Sequence, residues 1–288
     1  MTADAQGLTA LAGWADWVGW AGQHGLALYL AMLAALLLLT GLAARGLASP
    51  PAAAAGAGPP AGSAGLQPVA IGLAVIVVAA AVFATLAWQL AAYPTLDAAD
   101  RALLAALGPQ VPTAVRQVFA GLTHAADTAT LTGLCIIGTL ALLLRRQPVL
   151  AAGWVLAIAG NGVLNTGLKL GFGRLRPPPL DGALAVPGLS FPSGHSSGAL
   201  VAYGLAAYLA LRLLPARWHQ PALLLAVALA FSVGVSRVML QVHFASDVLA
   251  GFASGSAWLA LCIGGLAWLQ QRGLGRHGRA QQSRDASD

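Results

Sequence analysis

The chain has 288 residues, of which 58% are hydrophobic and only 8% are charged. A soluble globular domain carries about 25% charged residues, so this composition excludes one and indicates a protein with several membrane spans. The net charge is +6. The basic residues lie in short loops between apolar runs, which argues against a surface for nucleic acid.

The N-terminal part, residues 1–67, contains one apolar run and one linker. Residues 25–44 are almost entirely apolar and predict a first membrane span. Residues 46–67 are rich in Ala, Gly, Pro and Ser and predict a flexible linker. No Lys or Arg precedes the first apolar run, so we do not expect a cleavable signal peptide.

Residues 68–271 predict a second unit with six further spans, followed by a disordered cytoplasmic tail over 272–288. Residues 95–126 carry charged side chains on amphipathic segments that Gly108-Pro109 and Pro112 interrupt, and we expect them along the membrane surface. The fold class is therefore an all-α transmembrane bundle, a six-helix core plus one additional N-terminal span. The six spans are expected at residues 69–92, 128–144, 149–171, 196–214, 220–240 and 244–269.

The distribution of Arg residues predicts the orientation in the membrane. If the spans alternate, nine Arg and two Asp fall on one side, and seven Asp with six basic residues fall on the other. The side rich in Arg should be cytoplasmic, which also places the C-terminus there. The three polar segments that follow then lie on the outer face, which is periplasmic if the membrane is a bacterial inner membrane.

The first polar segment runs from Lys169 to Pro177 at the end of a span. Asn161, Asn165 and Lys169 are spaced four apart, so they share one helix face, which should point into the bundle. Lys169 and Arg176 are candidates for binding phosphate oxygens. The alternative is that these cations snorkel to lipid headgroups, and we expect this of Arg174.

The second polar segment is Pro192-Ser193-Gly194-His195. Ser193 should cap the next helix, whose free N–H groups attract an anion, and Gly194 lets that anion approach closely. His195, in the first turn, is placed to donate a proton. The alternative is an ordinary capped helix with an incidental histidine.

The third polar segment runs from Ser236 to Asp247, and its His243 and Asp247 are four residues apart at the start of the last span. A carboxylate that accepts the Nδ1–H of an imidazole leaves Nε2 free as a nucleophile. Arg237 adds a further cation. The alternative is a buried pair that serves helix packing, although ionisable residues inside membranes are mostly functional. The Gly251-x3-Gly255 spacing that follows predicts close helix packing.

Together these segments read Lys169-x6-Arg176-Pro177, Pro192-Ser-Gly-His195 and Ser236-Arg237-x5-His243-x3-Asp247. This pattern resembles the three-part signature of the type-2 phosphatidic acid phosphatase superfamily. The resemblance implies that His243 attacks phosphorus, that Asp247 orients it, and that His195 protonates the leaving oxygen and later activates water. It implies no metal or other cofactor. The residues that it implies for phosphate binding are Lys169, Arg176, Ser193, Gly194 and Arg237.

The resemblance predicts a membrane lipid phosphatase whose partners are membrane lipids and a lipid phosphate substrate. Isoprenoid pyrophosphate, phosphatidylglycerophosphate and phosphatidic acid are the candidate substrates. Vanadate-dependent haloperoxidases share the signature, but they are soluble. The other alternative is a transporter or lipid-binding protein that holds phosphate without cleaving it. Binding alone requires only the cations, so the additional nucleophile, orienting acid and proton donor argue against it. Gln241 and Ala245 stand where many relatives have Gly and Pro, and residues 1–67 have no counterpart in the resemblance.

Overall fold

The computed structural model describes residues 16–48, 63–178 and 187–285. In these ranges the chain is helical apart from short connections, with one isolated β-bridge between Leu175 and Leu189. A helical segment over residues 16–23 precedes the longer helices. These are α1 (Gly25–Ala48), α2 (Ser63–Ala92), α3 (Pro94–Leu107), α4 (Thr113–Thr123), α5 (Thr128–Leu144), α6 (Pro148–Phe172), α7 (Gly194–Leu213), α8 (His219–Met239) and α9 (Ala245–Asp285).

The predicted all-α transmembrane bundle is confirmed. Within the residues that the structure describes, six helices are long and apolar enough to cross a membrane: α1, α2, α6, α7, α8 and α9. A seventh span results if α4 and α5 are taken together, since they are bent by 44° at a short break. Large apolar side chains such as Leu38, Ile71 and Val163 are exposed on the outer faces of the helices, as lipid-facing side chains are.

The ends of two helices differ from the prediction. α2 begins at Ser63, inside the segment predicted as linker, while residues 49–62 of that segment lie outside the described residues. α9 continues to Asp285, although a disordered tail is expected after residue 271. Extending an existing helix costs far less than nucleating one, and no Pro follows residue 271 to stop it.

The short helices α3 and α4 connect the first core span to the rest of the bundle. Their breaks fall where Gly108-Pro109 and Pro112 predict them, with a single 3₁₀ turn over Gly108–Gln110. Leu107 and Phe119 pack with Met239 of α8 in a small apolar cluster. This packing brings the polar residues of both helices to the end of the bundle where α6 and α8 end.

α6, α7 and α9 pack closely around a shared apolar core with α5. A Cβ added at Gly251 would lie 2.5 Å from the backbone oxygen of Ser193, and one at Gly255 would lie 3.0 Å from the Cα of Ser197. The close packing predicted from the two glycines is therefore confirmed. It sets the second and third turns of α9 directly against the start of α7.

The additional N-terminal span, α1, packs against α8 at the edge of the bundle. The Tyr29 hydroxyl lies 2.9 Å from Ser232 Oγ, and its ring stacks on Phe231 with the centroids 5.9 Å apart. None of the most apolar stretch of α1 is buried. Among the described residues, α1 contributes none of those that line the polar cavity described below.

Candidate active site

The polar stripe of α6 faces the interior of the bundle, as predicted. Asn161 and Asn165 are 5% and 8% exposed. Asn161 Nδ2 donates to Ser197 Oγ at 3.3 Å, and Asn165 Nδ2 donates to the carbonyl of Pro192 at 3.4 Å. Both amides therefore tie α6 to the start of α7, and Lys169 follows on the same face.

The first polar segment turns back over the end of α6. Gly173 ends the helix with φ of +63°, a left-handed conformation that glycine adopts without steric cost. Leu175 then pairs with Leu189, which brings residues 189 and 190 beside Lys169. Lys169 Nζ donates to the carbonyl oxygens of Leu189 and Ser190. The ammonium group is thus fixed at the mouth of the site rather than extended to the headgroups.

Ser193 caps α7, as predicted. Its Oγ accepts from the Ser196 amide at 3.4 Å and lies 2.9 Å from Ser196 Oγ. Its own amide donates to the backbone oxygen of Asp247 at 2.9 Å, which joins the second polar segment to the third. Ser193 is fully buried and lies behind the cavity wall, whereas Gly194 and His195 line the cavity.

His243 is held between a carboxylate and a guanidinium. Its Nδ1 lies 3.3 Å from Asp247 Oδ2, and its Nε2 lies 3.0 Å from Arg176 Nη1. A guanidinium can only donate, so Nε2 is the acceptor and the hydrogen is on Nδ1, directed at Asp247. Asp247 Oδ2 also accepts from the Phe244 amide at 2.9 Å. This arrangement fixes the tautomer in which the Nε2 lone pair is available for nucleophilic attack.

The environment keeps His243 neutral. Its side chain is 1% exposed. Burial lowers the pKa of His243 well below its usual value, and the positive charges of Arg176, Arg237 and Lys169 lower it further. A neutral imidazole is the nucleophilic form.

Two guanidinium groups beside His243 have a buried Nε donor that is not used. Arg237 is 7% exposed and donates from Nη1 to Thr123 Oγ1 at 2.6 Å. The Nε groups of Arg237 and Arg176 are buried and have no hydrogen-bond partner among the described residues. Buried donors of this kind are normally satisfied, so they are available to an acceptor such as a phosphoryl oxygen, and of the two residues Arg176 lines the cavity.

Arg174 does not snorkel, so that prediction is wrong. Its side chain is 12% exposed. Nη1 donates to Asp247 Oδ1 at 2.7 Å, and Nη2 donates to Asp97 Oδ1 at 2.8 Å and Asp100 Oδ2 at 2.9 Å. The Arg174 guanidinium also lies 4.1 Å from the centroid of the Phe244 ring. Bonds to three carboxylates stabilise the guanidinium more than contact with headgroups would. Two of these carboxylates belong to α3, and nothing in the sequence indicates that α3 contacts this segment.

The pKa values of Asp97 and Asp100, which both bind Arg174, are shifted in opposite directions. Burial would raise the pKa of Asp97, but hydrogen bonds from Arg174 and Arg101 hold it below its usual value. Burial raises the pKa of Asp100, against the opposing bonds from Ser246 and Arg174. Burial would lower the pKa of Arg174, but Asp247, Asp97 and Asp100 raise it. Arg174 is therefore a permanent cation that supports the carboxylate beside His243.

His195 also has a carboxylate partner that the sequence analysis does not identify. Its Nε2 lies 2.9 Å from Asp127 Oδ1, at the junction between α4 and α5. The available signal is the density of charged and imidazole residues between 95 and 127, but nothing in their spacing indicates which of them reach the site.

These residues surround a cavity of about 550 Å³ between α5, α6 and α7. Lys169, Arg176, His195 and His243 line one end of it. The rest is lined mainly by apolar and small polar side chains, among them Leu131, Thr132, Cys135, Ile136, Ile158 and Ala159. The described part of the chain contains no group of three or more His, Cys, Asp or Glu side chains placed to hold a metal ion.

Comparison with known proteins gives one family. Residues 150–271 match the model of the PAP2 superfamily. Phosphatidylglycerophosphatase B of Bacillus subtilis is 34% identical over 145 residues, which are 49% of this chain and 70% of that protein. A crystal structure described as a transmembrane PAP2 type phosphatidylglycerolphosphate phosphatase from Bacillus subtilis is 30% identical, with a TM-score of 0.61 over 66% of this chain and 94% of that one. With this sequence identity, fold and site, the chain belongs to the PAP2 superfamily, among its membrane-embedded lipid phosphatases.

Proposed function

We propose that this protein removes phosphate from a membrane lipid through a phosphohistidine formed at Nε2 of His243. One observation carries the proposal: Asp247 holds Nδ1 of His243 while Nε2 presents a lone pair to the guanidinium of Arg176. A phosphoryl group that replaces Nε2 as the partner of Arg176 would lie within reach of the nucleophile. Simple phosphate binding would not require this tautomer.

In the first step, Nε2 of His243 attacks phosphorus and the bond to the leaving oxygen breaks. The unused donors of Arg176 and Arg237, with Lys169, bind the phosphoryl oxygens as charge spreads over them. His195 gives a proton to the leaving oxygen. Asp247 stabilises the imidazolium-like product. The start of α7 contributes the backbone amide of Gly194 at the same end of the cavity.

In the second step, water attacks the phosphohistidine and inorganic phosphate is released. His195, now neutral, accepts the proton of that water and returns to its starting form. No metal takes part in this proposal, because the cations of the site supply the positive charge and His195 supplies the proton transfer.

The shape of the cavity supports a lipid substrate. The end that contains His195 and His243 is charged, whereas the side chains below it on α5 and α6 are mostly apolar. An amphiphile with a phosphate head and hydrocarbon tails matches both parts. Of the three candidate lipids, the relative named phosphatidylglycerophosphatase B favours phosphatidylglycerophosphate.

We further propose that the site opens on the outer side of the bacterial inner membrane. The ends of α6 and α8 and the starts of α7 and α9 meet at one end of the bundle. Arg145, Arg146 and Arg217 lie in the connections at the other end, and Arg212 lies in the last turn of α7 beside them. A cytoplasmic excess of Arg then supports an outward-facing site.

The decisive experiment is phosphate release from phosphatidylglycerophosphate by purified protein in detergent micelles. The variant His243→Ala should show no turnover and form no acid-labile phosphoenzyme, and EDTA should not affect the wild type. His219→Ala is the matched control, since this partly exposed imidazole lies at the opposite end of the bundle, where it bonds to the carbonyl of Leu214. Normal turnover by His243→Ala, or inhibition by EDTA, refutes the mechanism. Comparing kcat/KM for the three candidate lipids identifies the substrate.

A further inference from the structure

Asp127 occupies the N-cap position of α5, but its side chain does not cap the helix. An N-cap Asp normally accepts from a backbone amide of the first turn, which stabilises a helix by about 1 kcal/mol. Here Oδ1 lies 2.9 Å from His195 Nε2, and Oδ2 lies 2.6 Å from His124 Nδ1. Both oxygens bind imidazoles instead.

The bond to Asp127 determines which nitrogen of His195 can take part in proton transfer. An ionised carboxylate only accepts, so Nε2 of His195 carries a hydrogen. Nδ1 of His195 has no hydrogen bond to any part of the chain that the structure describes. The ring lines the same cavity as His243. Nδ1 is therefore the nitrogen free to exchange a proton with a substrate.

We propose that Asp127 is a positioning residue of the reaction, which pairs with His195 as Asp247 pairs with His243. The carboxylate fixes Nδ1 as the atom that gives a proton to the leaving oxygen and takes one from the attacking water. This inference rests on the proposed function, whose proton donor it completes. His124, with a side chain 71% exposed, binds the second oxygen and holds the carboxylate in place.

His195 alone gives and then regains the transferred proton. In the first step, Nδ1–H of the imidazolium passes its proton to the leaving oxygen as the P–O bond breaks. His195 is then neutral, with its hydrogen on Nε2 and the bond to Asp127 kept. In the second step, Nδ1 takes a proton from the water that attacks phosphorus, and the imidazolium is restored. Asp127 remains a carboxylate throughout.

The charges around His195 show why it needs this partner. Arg237 of α8 and Arg176 after α6 both act on the ring with positive charge, and His243 faces it across the site. These cations oppose the imidazolium form that must donate the proton. Asp127 is the only carboxylate bound to the His195 ring among the described residues. It therefore offsets the cations that bind phosphate.

The test is the pH dependence of kcat/KM for the variant Asp127→Ala on a lipid phosphate. General acid–base catalysis contributes about 10²–10⁴-fold, and loss of its positioning partner should lower kcat/KM by about 10–100-fold. The alkaline limb should move to lower pH by about one unit or more, because the imidazolium loses its anionic partner. Asp127→Asn, which keeps the size of the side chain and can cap α5, should shift the limb in the same direction. Asp16→Asn, at an exposed carboxylate, is the control.

A second substrate separates catalysis from folding. A nitrophenyl phosphate has a leaving group that departs without a proton, so Asp127→Ala should keep its rapid burst of nitrophenol and lose only the later turnover. The double variant Asp127→Ala/His195→Ala should be no slower than His195→Ala, because both act in one unit. Equal losses of burst and turnover with an unmoved limb, or additive losses in the double variant, overturn the role of Asp127. Absence of an acid-labile phosphoenzyme in the wild type instead overturns the phosphohistidine mechanism itself.

Discussion

Nη1 of Arg174 lies 2.7 Å from Oδ1 of Asp247, so the carboxylate that orients His243 is itself held by a cation. The other guanidinium nitrogen binds Asp97 and Asp100 of α3. Asp247 therefore has a fixed position before any substrate arrives.

The first prediction is that Arg174→Lys impairs catalysis although the charge is kept. A Lys ammonium cannot reproduce the planar set of bonds to three carboxylates. Removing one partner from a buried ion pair costs about 3–5 kcal/mol, and the Lys variant should lose part of that stability. We expect a drop in kcat of about tenfold or more and a lower midpoint of thermal unfolding in detergent.

Arg101→Lys is the matched control for this prediction. Arg101 also binds Asp97, but the two side chains are 60% and 36% exposed. Exposed ion pairs contribute about 0–1 kcal/mol, so this variant should keep its activity and its unfolding midpoint. Equal behaviour of the two variants would contradict a specific role for Arg174.

The second prediction concerns the contact between α7 and α9. A Cβ at Gly251 would lie 2.5 Å from the backbone oxygen of Ser193. Gly251→Ala must therefore push the start of α7 away from α9, and overpacking of this kind costs about 1–3 kcal/mol. We expect a lower unfolding midpoint and reduced kcat, since Gly194 and His195 move with α7.

Gly264→Ala, on the same helix, provides the comparison. A Cβ at Gly264 meets no atom within 4 Å, and the residue is exposed. Alanine is the better helix former, so this variant should be at least as stable as the wild type. A loss of stability in Gly264→Ala similar to that in Gly251→Ala would show that the close contact is not the cause.

The third prediction is a shift in the acid limb of kcat/KM. Burial lowers the pKa of His243, and Arg176 is the largest of the charges that add to this effect. The nucleophile must be neutral, so activity is lost as pH falls through this pKa. A lowered pKa therefore places the acid limb below the usual range of histidine.

Arg176→Gln removes one of these charges, so it should raise the pKa of His243 and move the acid limb to higher pH. The direction of the shift follows from the loss of a neighbouring like charge. The level of activity will also fall, since Arg176 contributes to phosphate binding, but the position of the limb is measured separately. The wild type and the variant are assayed with the same substrate, so ionisation of the substrate affects both pH profiles equally. An unmoved acid limb would contradict the effect of Arg176 on His243.

The residues that sequence reasoning brings together are those whose positions depend on local periodicity. Asn161, Asn165 and Lys169 share a face because a helix repeats every 3.6 residues, and His243 meets Asp247 for the same reason. Asp100 of α3 and Arg174, which follows α6, are 74 residues apart and meet only through the tertiary packing of the bundle. The spacing of residues along the chain does not indicate such a contact. The sequence analysis therefore predicts, wrongly, that Arg174 contacts lipid headgroups.

The last prediction tests the orientation in the membrane. Pro178 is exposed at the end of the bundle that holds the site, and Ala216 is exposed at the opposite end, between α7 and α8. Single cysteines at these positions, in a background where Cys135 and Cys262 are replaced by Ala, should differ in their access to reagents. An impermeant thiol reagent added to intact bacterial cells should label Pro178→Cys and not Ala216→Cys, because the Arg-rich end is expected to be cytoplasmic. Both should react once the membrane is permeabilised, which shows that each thiol is accessible in the folded protein. Labelling of Ala216→Cys alone in intact cells would place the site on the cytoplasmic side, and the enzyme would then act on lipids of the inner leaflet.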